Sequence, residues 1–403
     1  MLRKESDNRA RIALVSNTDY YLYHFRLGLI KELVNRGLKV YTIAPSGEFT
    51  LPLEEAGAIF VSWILGRSSF NPLQELRSFA SLIQIYRTIK PTIAHHFTIK
   101  PNIYGSIAAG LTDDVGIVSS ITGLGYIFTG DGPKARAARP LISNLYRLAF
   151  HFSDAITFQN HDDLETFRRF KVLPPNKTPY VHGGSGVNTA FFNPEMIDKA
   201  AIHRLKESLG LNPNSIVVLL VGRMLWHKGI GEYVECARVL KKTHGAHFLL
   251  VGPVDEGNLA SIPITRLIEW EKEGCIQYLN KREDIRELLA LSDIVVLPSY
   301  REGMPRFLLE AAAMRKPIVT TNVPGCKDVV DHEINGLLVE PKDPIALARA
   351  VESLLLSPDR RQRFGETARQ KALKEFDETR INAQILYVYN IILERQGKSK
   401  IPN

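Results

Sequence analysis

Cysteine is scarce: Cys236, Cys275 and Cys326 are the only three in 403 residues, and no C-x-x-C joins them. That excludes a disulfide framework and a thiolate metal centre, and it fits a reducing compartment. No apolar run approaches the roughly 18–20 residues that a membrane-spanning helix needs. Residues 1–11 are polar and charged, without the apolar stretch of a secretory leader, so the expected location is cytoplasmic. Repeats of solenoid period and low-complexity tracts are missing too.

What the chain does have is length, apolar content and uneven positive charge. At 403 residues and 45% hydrophobic it is long for one core, and two domains are expected. The formal charge is +8. Residues 1–190 hold 21 Lys and Arg against 15 Asp and Glu, and the remainder 30 against 28. A basic first half suits nucleic acid, an anionic membrane or a phosphorylated substrate.

Short apolar, β-rich runs alternate with longer helical patterns. Strands are expected at 12–16, 40–44, 93–95, 117–121, 155–158 and 178–181, and again at 216–221, 247–251, 276–279, 294–297, 318–321 and 336–339. Helices are expected between them, as at 25–36, 101–109 and 231–241. Near-continuous apolar strands alternating with helices imply α/β architecture with parallel sheets covered on both faces. The series restarts near Asn193-Pro194 with a charged helix, 198–209, and the turn Asn212-Pro213-Asn214. Two Rossmann-like lobes follow, one at 1–188 and one at 189–378. A helix and tail at 379–403 pack back toward the first, and 397–403 are expected to fray.

Two stretches carry chemistry. In VGRMLWHKG, 221–229, Arg223 and Lys228 follow a buried strand, and Gly229 and Gly231 open the next helix. Two cations beside a helix N-terminus suit a diphosphate, Arg as a planar fork and Lys as a point charge; a loop of ordinary solvated cations is the plain alternative. In REGMPRFLLEAAAMRKPIVTTNVPG, 301–325, Glu302 lies in the loop after a strand and Glu310 eight residues on, inside an apolar helix. Gly303 lets backbone approach a ligand. A carboxylate among LLEAAAM needs a partner, because burying one alone is costly.

The pairing of E-G-x-P and a second Glu eight residues later with the strand–Arg–x4–Lys stretch resembles retaining glycosyltransferase family 4, with KPIVTTNVPG and DHEINGLLVEPKD supporting it. The resemblance covers the whole chain and implies the GT-B fold, two parallel-sheet lobes facing across a cleft. It implies that Arg223 and Lys228 bind the diphosphate of a UDP-sugar, Glu302 contacts the transferred sugar and Glu310 binds the ribose. Amides around Gly303, Met304 and Arg306 would hold phosphate or sugar, and Arg282 would lie beside the nucleobase. YHFRLGLIKEL, RSSFNP, MLWHKGIGEYVECA and LPSYREGMP are similar to a narrower group: bacterial transferases that add N-acetylgalactosamine α-1,3 to undecaprenyl-diphosphate-linked diacetylbacillosamine, and their O-antigen and capsule relatives.

The same resemblance implies transfer with retention on the face that the diphosphate leaves, charge on the departing UDP being met by the two cations. No D-x-D occurs, so no metal or other cofactor is expected. Where many family members carry a His after the strand 117–121, this chain has Thr122 and Gly123; His24, His95 and His96 are alternatives for a polar contact near the sugar or acceptor. The double-Gly turn after the first strand is replaced by SNTDYYLYHF, leaving ITGLGY as a source of backbone donors. Expected partners are a UDP-sugar, a polyprenyl-diphosphate-linked acceptor and an anionic membrane surface, with no nucleic acid. Arg26, Lys31 and Arg36 beside Tyr20, Tyr21, Tyr23 and Phe25, and Lys134, Arg136, Arg139 and Arg147 beside Tyr146, Phe150 and Phe152, would face that membrane. A nucleic-acid-binding protein, suggested by the charge alone, and a UDP-sugar 2-epimerase of the same fold are the rival readings.

Overall fold

The structure is a computed structural model that describes residues 10–66, 71–130, 132–212 and 214–402. The polar stretch before residue 10, Arg67–Phe70 of the RSSFNP motif and Pro213 of the expected turn lie outside the described residues.

The chain divides into two units, one reaching to Ser185 and resumed at Glu378, the other running from Gly186 to Asp377. Seven strands build the first: β1 (Arg11–Val15), β2 (Lys39–Ala44), β3 (Ile59–Ser62), β4 (Ile93–Phe97), β5 (Gly116–Ile121), β6 (Ala155–Phe158) and β7 (Pro179–Val181). They lie in the order β3-β2-β1-β4-β5-β6-β7, every pair parallel. Six build the second: β8 (Val217–Val221), β9 (His247–Val251), β10 (Gln277–Tyr278), β11 (Ile294–Leu297), β12 (Ile318–Thr321) and β13 (Gly336–Val339). Their order is β10-β9-β8-β11-β12-β13, again parallel throughout. These are two doubly wound Rossmann-like sheets, as expected of the GT-B fold.

Alternation along the strands explains why the runs are continuously apolar. Val217 and Leu219 face the layer of Leu308, Ala311 and Met314, while Val218 and Leu220 face Tyr233, Val234 and Leu240. A strand covered on both sides has no solvent face to make polar. In the first unit, Ile12 and Leu14 meet Leu29, Leu33, Ile385 and Tyr389, and Ala13 and Val15 meet Trp63, Leu82 and Tyr86.

Several expectations need correction. β3 adds to the expected strands: it is an edge strand of four residues, IFVS, none of them buried although three are apolar. The first helix starts at Asp19 rather than 25, within SNTDYYLYHF, and runs to Asn35, with the Thr18 hydroxyl accepting from the Tyr21 amide. An N-cap of this kind satisfies one of the amide donors left over in the first turn. Helix 101–109 opens as a π-helical turn, Pro101–Gly105, before continuing as Ser106–Gly110. The tail is anchored rather than frayed as far as Pro402: Ile401 is buried, its amide donates to Asn390 Oδ1, and Lys398 pairs with Asp114.

The helix Glu378–Arg395 belongs to the first unit. It buries Ile381, Ile385, Tyr389 and Ile392, spaced to share one face. Gly28 lies where a Cβ would come within 2.5 Å of Glu378 Oε2, and Gly116 where one would come within 2.6 Å of Ile392; both glycines let the helix seat closely.

Candidate functional site

In the second sheet the strand order reverses between β8 and β11, and ligands of open parallel sheets gather beyond the carboxyl ends of the strands at such a reversal. The two loops that leave β8 and β11 are the two that carry the expected motifs.

The first loop is pinned by its apolar residues. Met224 and Leu225 are fully buried, Met224 exchanging backbone bonds with Pro253 and Ile262. A short 3-10 turn, Trp226–Lys228, then ends at Gly229, whose φ of 73° caps the helix Ile230–His244. A Cβ on Gly229 would lie 2.0 Å from the Pro298 carbonyl oxygen. Glycine is required here twice, for the left-handed backbone and for the near contact between loops. Beside it the Tyr300 amide donates to the His227 carbonyl at 2.9 Å, and the Tyr300 hydroxyl donates to Glu232 at 2.7 Å.

Lys228 and Glu302 meet as a consequence. Nζ lies 2.5 Å from Oε1, with the side chains 19% and 13% exposed, and the Ser299 hydroxyl donates to the same oxygen at 2.7 Å. The Glu302 amide donates to the Pro324 carbonyl at 3.1 Å. Gly325, φ 81°, lies under this loop where a Cβ would reach the Glu302 and Gly303 carbonyl oxygens at 2.7 and 2.8 Å. The VPG turn is thus a backbone support for the E-G loop. His227, beside Lys228, is held below its ordinary pKa by burial first and then by the Lys228 and Arg223 charges, with Glu302 opposing them.

Arg223 leaves the same loop but turns to Asp255, Nη1 to Oδ2 at 2.6 Å, and is half exposed. Asp255 follows β9, the strand beside β8. Past Met304, which packs on the core, and Pro305, the helix Arg306–Ala313 begins. Arg306 Nε lies 2.7 Å from Glu310 Oε1, the partner that a carboxylate inside this apolar helix requires. Burial nonetheless raises the Glu310 pKa, the Arg306 charge opposing the rise. Arg282 sits in the loop after β10 and forks onto Asp284 at 2.8 and 2.5 Å, an arrangement that raises the arginine and lowers the carboxyl.

The structure therefore joins Lys228 to Glu302 and Arg306 to Glu310 through side chains, and gives Arg223 and Arg282 acidic partners of their own. Asp255 and Ser299 were not singled out from sequence. Ser299 was within reach, three residues before Glu302; Asp255 was not, because its nearness to Arg223 depends on the strand order.

The first-unit candidates are a separate group. His24 packs among Tyr20, Tyr23 and Phe49 with ring centroids 4.2, 5.2 and 4.7 Å away. His95 is fully buried, Nδ1 on the Tyr389 hydroxyl and Nε2 on the Ser120 hydroxyl, each at 2.6 Å, and burial holds it well below its ordinary pKa. His96 is likewise buried, bonded to Tyr86 and Ser106 and held down to about 3. Thr122 and Gly123 directly follow β5, Gly123 at φ 149° with open space where a Cβ would be.

The basic clusters do not face outward as wholes. Arg26 is 2% exposed, its guanidinium 4.4 Å from the Phe97 ring, because its helix turns that position onto the sheet. Tyr146 and Phe150 are core residues, and Arg139 folds back onto the Ile127 and Gly130 carbonyls and the Phe170 ring. Among the residues that the helix Pro133–Phe152 does expose are Lys134, Arg136, Leu141, Arg147 and Leu148. No helix among the described residues is long and apolar enough to cross a membrane, and no group of His, Cys, Asp and Glu among them could hold a metal.

Residues 202–371 match the family model described as glycosyl transferases group 1, and residues 11–160 match that of glycosyl transferase 4-like domains. The chain is 32% identical over 95% of its length, and 99% of the relative's, to the N,N'-diacetylbacillosaminyl-diphospho-undecaprenol α-1,3-N-acetylgalactosaminyltransferase of Campylobacter jejuni. It is 27% identical to the Escherichia coli UDP-Gal:α-D-GlcNAc-diphosphoundecaprenol α-1,3-galactosyltransferase over 74% of this chain and 75% of that one. In fold it is similar to the sucrose-phosphate synthase of Thermosynechococcus elongatus, TM-score 0.79 at 19% identity, covering 96% of this chain and 100% of that one. It is similar also to Anabaena HepE in complex with UDP-glucose, TM-score 0.74 at 19% identity, covering 94% and 98%. With two doubly wound sheets, both motifs set at one strand-order reversal and full-length likeness to that transferase, the chain belongs to glycosyltransferase family 4.

Proposed function

We propose that this enzyme moves a sugar, N-acetylgalactosamine for preference, from a UDP-sugar to an undecaprenyl-diphosphate-linked saccharide, forming an α-1,3 bond with retention and without a metal, in surface or protein-linked glycan assembly. The observation that carries the reading is the meeting of Lys228 and Glu302 where the β8 and β11 loops touch. The full-length likeness to the Campylobacter transferase supports the acceptor class and the sugar, and the galactosyltransferase supports the lipid diphosphate.

In this reading the bond between the anomeric carbon and the diphosphate oxygen breaks while the acceptor hydroxyl oxygen forms the new one on the same face. The hydroxyl proton passes to the departing phosphate, so no protein base is required. Charge grows on the diphosphate, and positive groups fixed in place before the reaction stabilise it without reorganising. Lys228 carries three donors, of which one is on Glu302, and Arg223 carries five, of which one is on Asp255. Each can keep its carboxylate and still bind phosphate oxygens. Holding those carboxylates also fixes where the cations stand. Glu302 takes hydroxyls of the moving sugar, Glu310 those of the ribose, and backbone near Arg282 the base. The exposed Lys134, Arg136, Leu141 and Leu148 would rest on an anionic leaflet, each cation contributing about 1 kcal/mol.

The test is a panel of UDP-sugars with undecaprenyl-diphosphate-linked mono- and disaccharides. UDP release that requires the lipid-linked acceptor, persists in a chelator and yields an α product by NMR supports the proposal. Release without an acceptor, or none with any UDP-sugar, overturns it.

A further inference from the structure

The first unit contains a groove that the donor site does not use, of about 380 Å³, between β7 and the helix Glu378–Arg395. That volume is at the small end of ligand pockets, roughly 300–1,000 Å³, and larger than a bare phosphate needs. His95, Thr157 and His182 supply its polar side, and Tyr180, Arg380 and Tyr387 are among its walls. No Asp or Glu lines it.

Two groups here lack what their burial calls for. His182 is 7% exposed, with Nε2 3.3 Å from the Thr157 hydroxyl; Nδ1 makes no hydrogen bond of good geometry, although the Gly184 backbone lies beside the ring. A buried polar atom left in this way is uncommon and calls for an explanation. Arg26 is 2% exposed, with Nη2 on the Tyr21 hydroxyl at 2.9 Å and Nε unbonded. No carboxylate among the described residues forms an ion pair with it. It is near enough to the groove for its charge to act on His95, His182 and Tyr389. A buried cation without a counter-ion is costly, and burial, before the effect of Arg26, holds His182 down to about 3. The imidazole is therefore neutral, able to share a proton with a ligand but not to repel Arg26.

We propose that this groove is a second anion site, taking a phosphoryl or diphosphate group on an apolar stem, with the phosphate facing His182 and Arg380 in the field of Arg26 and the stem along Tyr180, Val118 and Val181. The chemistry is the same for a lipid diphosphate headgroup and for a free phosphorylated metabolite. It stands apart from the donor assignment, because none of its residues belongs to the second unit.

The experiment is calorimetry on the full chain with UDP saturating the donor site. The probes are geranyl diphosphate, inorganic diphosphate and geraniol. Geranyl diphosphate should bind, and Arg380→Gln, His182→Phe and Arg26→Gln should each weaken it tenfold or more while UDP affinity stays unchanged. Arg26→Gln alters the core, so Arg380→Gln and His182→Phe carry the test if it fails to fold. Equal binding of inorganic diphosphate assigns a free anion; preference for the geranyl form assigns a lipid source. Geraniol binding as tightly as its diphosphate, no binding at all, or wild-type affinity in both Arg380→Gln and His182→Phe overturns the proposal. Loss of UDP binding in the wild-type protein would instead strike the donor reading alone.

Discussion

Removing Lys228 separates what the Lys228–Glu302 pair does for the fold from what it does for turnover. Nζ and Oε1 are 2.5 Å apart and the side chains are 19% and 13% exposed. A charged hydrogen bond contributes roughly 1.5–3 kcal/mol net, and breaking a fully buried pair costs about 3–5 kcal/mol. Residual solvent and the Ser299 hydroxyl, which stays on Glu302, put Lys228→Ala near the lower figure, about 2 kcal/mol by urea denaturation. Loss of one preorganised group from the leaving diphosphate is larger, about 10²–10³-fold in kcat. Glu302→Ala and the double variant complete a cycle in which the stability coupling should be about 1–2 kcal/mol. Coupling below about 0.5 kcal/mol is what independent sites show, and it would mean that the contact contributes little. Turnover of Lys228→Ala within threefold of the parent would refute the clamp outright.

Glu310→Gln should cost UDP affinity at least tenfold by calorimetry; unchanged affinity rejects the ribose role. Its effect on the ligand-free fold has the opposite sense. The folded-state pKa of Glu310 is raised, so the stability linked to its proton is fully present below the unfolded value and is lost as pH rises through the folded one. The Gln variant should therefore lose less stability than the parent between pH 4 and 7, and a steeper loss in thermal melts would contradict the burial argument. Arg136→Glu with Leu141→Asp should reduce co-sedimentation with anionic liposomes while leaving UDP affinity intact; unaltered sedimentation removes the helix Pro133–Phe152 from the membrane face.

How much of this was legible depended on whether the signal was local. Covered strands such as VVLLV could be read directly because burial on both faces leaves an unbroken apolar run. The edge strand Ile59–Ser62 was missed although it lies in the apolar run AIFVSWIL: it is four residues long and, at the sheet edge, none of its residues is buried. The start of the first helix was hidden because Asp19 to Phe25 carries aromatics all round rather than on one face. At the site, Arg223, Lys228, Glu302 and Glu310 stand in two contiguous motifs, and the partner of Glu310 is one turn away in the same helix. Asp255 lies 32 residues from Arg223 and meets it only because β9 adds beside β8. Arg26 reads as a surface cation from its neighbours, and only the packing of its helix against Phe97 shows otherwise.

The return of the helix Glu378–Arg395 to the first sheet has a consequence for biosynthesis. Residues 186–377 are contiguous and own a complete core, so they can close as soon as the ribosome has released them. The earlier-made half cannot, because Ile385, Tyr389 and Ile392 fill its interior and Tyr389 holds His95. Domains ordinarily fold in the order of synthesis; here the later-made unit is the first to have all its interior residues, and a nascent chain stalled before residue 378 would display an unfinished apolar surface on its N-terminal side for chaperones to shield.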